Sequence, residues 1–289
     1  MQAILAASEH AEGLAREIAT ACEDEDQCTE IVATNGHTGL IWLLGAGPDS
    51  MTTTLAVGAL LDLSMLDGLE PQLIEAGVVA PTVALLRTAP TASNERVLVN
   101  AAKLVGNLAM TSAGKEASQK AGAIVPLVSL LGAASEIAVQ AAGALWTLSY
   151  DNEAQKPVNA AEIVEAGAVP PLVALLHGET AENAAGALSN LATDPAAAAA
   201  IRSAGGIVPL VALLHAAEAA TPENAACALD NMGFHDQQSR SAILAALAAR
   251  PPPPPPHDDW PYLAKLLKKL QPTATERLTA AEAGDDAAA

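Results

Sequence analysis

The chain is 289 residues long, 51% hydrophobic but only 2% aromatic, with a formal net charge of -19. A core of that size has to be built from Leu, Val, Ile and Ala, a palette that favours helix and close helix approach. The charge excludes a general nucleic-acid binder, which must neutralise phosphates, and suits cationic partners.

The first segment, MQAILAASEHAEG, has no basic stretch and is broken by Glu9 and His10 before a signal-peptide core forms. No uninterrupted apolar run approaches membrane-spanning length. Cys22, Cys28 and Cys227 are odd in number and at no metal-ligand spacing, which reads as a reducing compartment, cytoplasmic or nuclear. Residues 3 to 21 read as one helix. The acidic run Glu23, Asp24, Glu25 and Asp26 reads as a solvated loop.

From there the chain repeats itself. Ala-Gly or Asn-Gly punctuation recurs at Gly36, Gly77, Gly122, Gly167 and Gly205, a period of roughly 40 residues that belongs to stacked solenoids. Glycine suits a sharp turn between two packed helices. Proline follows at Pro81, Pro126, Pro170, Pro171 and Pro209, in the first turn of a second helix that needs no N–H partner. That second helix is nearly all apolar (PTVALL, PLVSLL, PLVALL, PLVALL), with GLIWLL at 39–44 as a degenerate first copy. A third helix carries ENAAxALxN, seen at 182–190 and 223–231, and Thr221-Pro222-Glu223 supplies its clearest start signal. Its small residues, such as those of AAGAL at 184–188, let successive third helices stack closely.

These residues resemble the armadillo repeat of catenin and importin-alpha type proteins. The resemblance implies an all-α, right-handed α-α superhelix with three helices per repeat, acting as a non-enzymatic scaffold or adaptor for a protein or peptide. The organisation expected is a half-repeat cap at 1–25, about five repeats and a partial terminal one at 26–250, a polyproline linker at 251–259, a short amphipathic basic helix at 260–271, and an acidic, Ala-rich, disordered tail at 272–289.

In that family the third helix lines a concave groove, and an asparagine near its end holds the backbone of an extended partner. The matching positions are Asp62, Asn107, Thr147, Asn190 and Asn231. A carboxamide donates and accepts at once, so it pairs with a peptide bond whatever the side chain; the alternative is a bond within its own repeat. Seven residues upstream, about two helical turns, Asn100, Gln140, Asn183 and Asn224 form a second row on nearly the same face. Importin-alpha type grooves place tryptophan four residues before the asparagine, whereas Gly58, Lys103, Gly143, Gly186 and Cys227 stand here. Trp146 and Tyr150, four apart, are either an aromatic step in the groove or core residues.

Catalytic patterns are weak. His177 and His215 recur after each LVALL as helix C-terminal caps, and His235-Asp236 and His257-Asp258-Asp259 lack a nucleophile or a metal-like ligand set. No catalytic residue, cofactor or metal is expected. Arg250, Pro253 and Pro256 match R-x-x-P-x-x-P, either a ligand for an SH3, WW or profilin-like partner or a stiff spacer. The helix after it, with Trp260, Leu263, Leu267 and Leu270 on one stripe and Lys265, Lys268 and Lys269 beside it, caps the last repeat, folds onto the acidic face, or meets a membrane surface. The leading function is a scaffold holding an extended basic peptide. The runners-up are a nuclear-import cargo adaptor and a regulatory subunit of an enzyme on another chain.

Overall fold

The computed structural model describes residues 2–21, 24–66, 68–133, 135–151, 156–214, 220–235, 237–249, 266 and 268–270. They fold as an all-helical stack, interrupted by one two-residue antiparallel ladder in which Tyr150 faces Pro157 and Asp151 faces Lys156. A lone helix, α1 (Gln2–Ala21), precedes five groups of three: α2 (Glu25–Ala33), α3 (Gly36–Leu43) and α4 (Met51–Ser64); α5 (Glu70–Glu75), α6 (Val79–Leu86) and α7 (Glu95–Leu108); α8 (Ser112–Lys120), α9 (Ile124–Leu130) and α10 (Ser135–Leu148); α11 (Ala160–Glu165), α12 (Val169–Ala174) and α13 (Ala181–Leu191); and α14 (Pro195–Ser203), α15 (Ile207–Leu213) and α16 (Ala220–His235). A final helix, α17 (Gln237–Ala249), packs against α15 and α16.

The turns follow from local chemistry. Gly77, Gly122, Gly167 and Gly205 sit between the first and second helices with φ between 70° and 83°, a conformation a Cβ penalises. The first group departs from this expectation. There Asn35 takes the left-handed conformation (φ 59°), and Gly36 opens α3 with the Ile31 side chain close by. Asparagine tolerates αL better than most residues. The prolines stand at the second or third position of their helices, still inside the first turn.

Two other expectations change. The acidic run is not all loop: Glu23 lies outside the described residues, but Asp24 caps α2 by accepting from Gln27 N at 3.1 Å, and Glu25 and Asp26 already form the first turn. A carboxylate there, such as that of Asp26, complements the helix dipole. Thr221 does not cap α16, which has begun by Ala220; its hydroxyl is buried and has no hydrogen-bond partner among the described residues. Among the described residues, side-chain caps form on Ser50, Thr111 and Asp194, as well as Asp24.

Third helices stack in order, α1 on α4, then α7, α10, α13 and α16. One continuous apolar core runs from Ala15 in α1 to Leu266 and Leu270. Each group buries its apolar face against its neighbours, so the core is lengthened by repetition instead of thickened.

Candidate functional site

The third helices carry their groove-row amides half-buried, and most of these tie one repeat to the one before it. Asn107 Nδ2 donates to Ser64 Oγ (3.1 Å), Asn190 Nδ2 to Ser149 Oγ (2.9 Å) and to Trp146 O (3.3 Å), and Asn231 Nδ2 to Ser189 O (3.0 Å). In the upstream row Asn183 Nδ2 donates to Val139 O (3.0 Å) and Asn224 Nδ2 to Glu182 O (3.5 Å). Both geometries repeat because the repeat itself does: the acceptor carbonyls of Trp146 and Ser189 occupy the same place in successive helices, as do those of Val139 and Glu182.

This changes the chemistry expected of the asparagines. Their donors are spent on the preceding repeat, not within their own, and among the described residues no donor is directed to the Oδ1 of Asn107, Asn190 or Asn231. Each of these side chains is half-buried, so its oxygen is the half of the amide that can accept an incoming N–H. The remaining row members differ. Thr147 Oγ1 donates back to Ala144 O in its own helix (2.9 Å), Gln140 Nε2 donates to Glu136 Oε1 (3.0 Å), and Asp62 and Asn100 are half-buried on α4 and α7.

Small residues set how closely the helices approach. A Cβ added to Gly186 would lie 2.4 Å from Trp146 Cε2, so the indole of the preceding repeat occupies the space a side chain would need. Gly143 meets Asn183 in the same way, 3.0 Å from its Nδ2. Trp146 thus belongs to both alternatives: half-buried, it packs against the core and also walls an open cleft of about 250 Å³ between α7, α10 and α13. Lys103, Asn107, Met110, Gln140 and Asn183 complete that wall. Tyr150 is half-buried just past the end of α10.

Sequence reasoning missed a third row. Met65, Met110 and Phe234 stand three residues beyond Asp62, Asn107 and Asn231, and are 62%, 52% and 81% exposed. An i, i+3 offset puts them on the face of the asparagines, the spacing that could have found them. His37, buried in α3, was also missed; its Nδ1 has no partner among the described residues, and burial holds its pKa below the ordinary histidine value.

His177 is exposed two residues beyond α12's capping turn, and its main-chain N donates to Leu175 O at 2.7 Å. His235 meets Phe234 edge to face, centroids 5.4 Å apart. Among the described residues no three His, Cys, Asp or Glu side chains gather as a metal site, and no single helix is long and apolar enough to cross a membrane. His215, Asp236, residues 257–259 and the polyproline positions Arg250, Pro253 and Pro256 lie outside the described residues, as do Trp260, Leu263, Lys265 and Leu267. Leu266 and Leu270 are each only 2% exposed, Lys269 pairs with Asp230, and Leu270 lies so close to Gly233 that a Cβ there would clash.

Residues 156–193 match the family model described as Armadillo/beta-catenin-like repeat. Among solved structures, the chain is 29% identical to an engineered protein over 91% of its own length, with a TM-score of 0.71, and spans 60% of that protein's length. A second engineered protein is 30% identical, with coverage of 79% of this chain and 92% of that one and a TM-score of 0.68. A designed armadillo repeat protein in complex with the peptide (KR)4 is 27% identical, covering 81% and 96%, with a TM-score of 0.63. Among curated proteins none matches. The fold shared with these structures is the right-handed superhelix of three-helix repeats.

Proposed function

Since this chain belongs to the armadillo-repeat family, we propose that it is a non-enzymatic interaction scaffold that holds an extended, basic segment of another protein along the groove of its third helices. The observation that carries this reading is that the amide oxygens of Asn107, Asn190 and Asn231, on half-buried side chains at equivalent places of three third helices, receive no donor among the described residues; Asn107 also lines the α7–α10–α13 cleft. Such oxygens accept main-chain N–H groups without reading the side chain. The net charge of -19 supports a cationic ligand, and the designed relative bound to (KR)4 supports an extended one. Gly186 weighs against a nuclear-import cargo adaptor, because the space of a tryptophan there is filled by Trp146. The cytosol or nucleus is the compartment this reading requires, and the thiols of Cys28 and Cys227 suit it.

The test is fluorescence anisotropy with a labelled Lys-Arg repeat peptide. A hydrogen bond of this kind contributes about 0.5–1.5 kcal/mol, so single alanine replacements read as mild. The triple variant Asn107→Ala, Asn190→Ala, Asn231→Ala should weaken binding by more than about tenfold with helicity intact by circular dichroism. Equal affinity in a folded triple variant would sink the groove assignment. Binding that does not weaken with salt would remove only the basic character of the ligand.

A further inference from the structure

The cleft between α7, α10 and α13 joins an apolar wall to a cation that no equivalent third-helix position carries. Its walls are apolar at one end, where Met110, 52% exposed, and the half-buried Trp146 both line it. Its lining also carries a cation: Lys103 stands where the equivalent helices have Gly58, Gly143, Gly186 and Cys227, and its pairing with Glu136 is loose, at 3.8 Å. A lysine or arginine of a bound segment entering this cleft would meet a like charge, whereas a large apolar side chain would cover Met110 and the indole.

We propose that this cleft is a pocket for one large apolar side chain, so that the segment bound along the groove is basic on both flanks and interrupted at its centre by a leucine, methionine or aromatic residue. The proposal rests on the groove reading and adds to it the chemistry of the central position. A volume of about 250 Å³ accommodates a side chain of that size, and the asparagines on either side hold the main chain that presents it.

The experiment uses the full chain and three nine-residue labelled peptides of Lys-Arg repeats whose central residue is leucine, serine or arginine. The leucine peptide should bind about tenfold more tightly than the serine peptide of the same charge, and more tightly than the arginine peptide despite its lower charge. Met110→Ser, an exposed substitution, should reduce the leucine-over-serine preference to within about twofold. Lys103→Ala should strengthen the arginine peptide more than the leucine and serine peptides. Equal binding of leucine and serine peptides overturns the pocket while the groove stands. A leucine preference that survives Met110→Ser overturns it as well, by placing the apolar contact elsewhere. Binding of none of the three overturns both.

Discussion

An asparagine in a third helix of this chain serves two neighbours: its amide nitrogen ties the preceding repeat, and its oxygen is left for whatever lies in the groove. Replacing one therefore loosens the stack as well as the ligand, and the triple alanine variant has to be judged with its melting curve beside its affinity. His37 is the residue whose environment is most at odds with its chemistry. It is 4% exposed, its Nδ1 has no partner among the described residues, and desolvation lowers its pKa. Because the folded state binds this proton less readily than the unfolded state, the stability linked to His37 is fully present above the unfolded value, about 6.5, and is lost as pH falls through that value towards the folded one. Urea unfolding should show a lower stability at a pH of about 5.5 than at about 7.5, with the difference reduced in His37→Gln. A loss of the same size in the variant would assign the acid sensitivity to other groups.

At the scale of elements, the third helices were legible because their pattern is repeated and chemically odd. Helices rich in alanine and asparagine at a constant period fit a stacked solenoid better than a single globular core, and Gly186 and Gly143 show the close approach read from their small residues. Element starts were less legible, for reasons the residues give. Asn35 and Gly36 both tolerate a turn; the left-handed residue is Asn35, and Gly36 opens α3 against the Ile31 side chain. Thr221 carries a capping signature, but α16 has begun by Ala220 and the threonine falls inside it. Met65, Met110 and Phe234 were hidden because a lone exposed apolar residue carries no signal until the helix register places it beside a polar row. Of the C-terminal stripe only Leu270 is among the described residues, and it is buried against α16. On α16, Asp230 and Gly233 occupy positions that in earlier third helices face the next repeat, and here they meet Lys269 and Leu270. Lys269 and Leu270 thus meet α16 where the next third helix meets the earlier ones. Leu266→Ala with Leu270→Ala should lower the melting temperature by about 5–10 °C, from a few kcal/mol of lost burial. An unchanged midpoint would mean that the segment does not close the core.

For the whole molecule, one continuous core runs beneath one repeated polar face whose amides also tie the repeats together. The core is extended by adding repeats, while the face is diversified by single positions such as Lys103 and Met110. This is why family and fold could be read from the sequence while the ligand chemistry needed geometry: repetition is visible in one dimension, but neighbours 40 or more residues apart meet only when the helices stack. Net charge acts at this scale too, drawing cationic chains towards the scaffold without fixing their place. The most direct test of the central claim is a hydrogen-exchange footprint of the full chain with and without the leucine-interrupted basic peptide. Protection should rise in the third helices α7, α10, α13 and α16 and stay unchanged in the second helices α6, α9, α12 and α15; protection confined to the second helices would contradict the groove as the binding face.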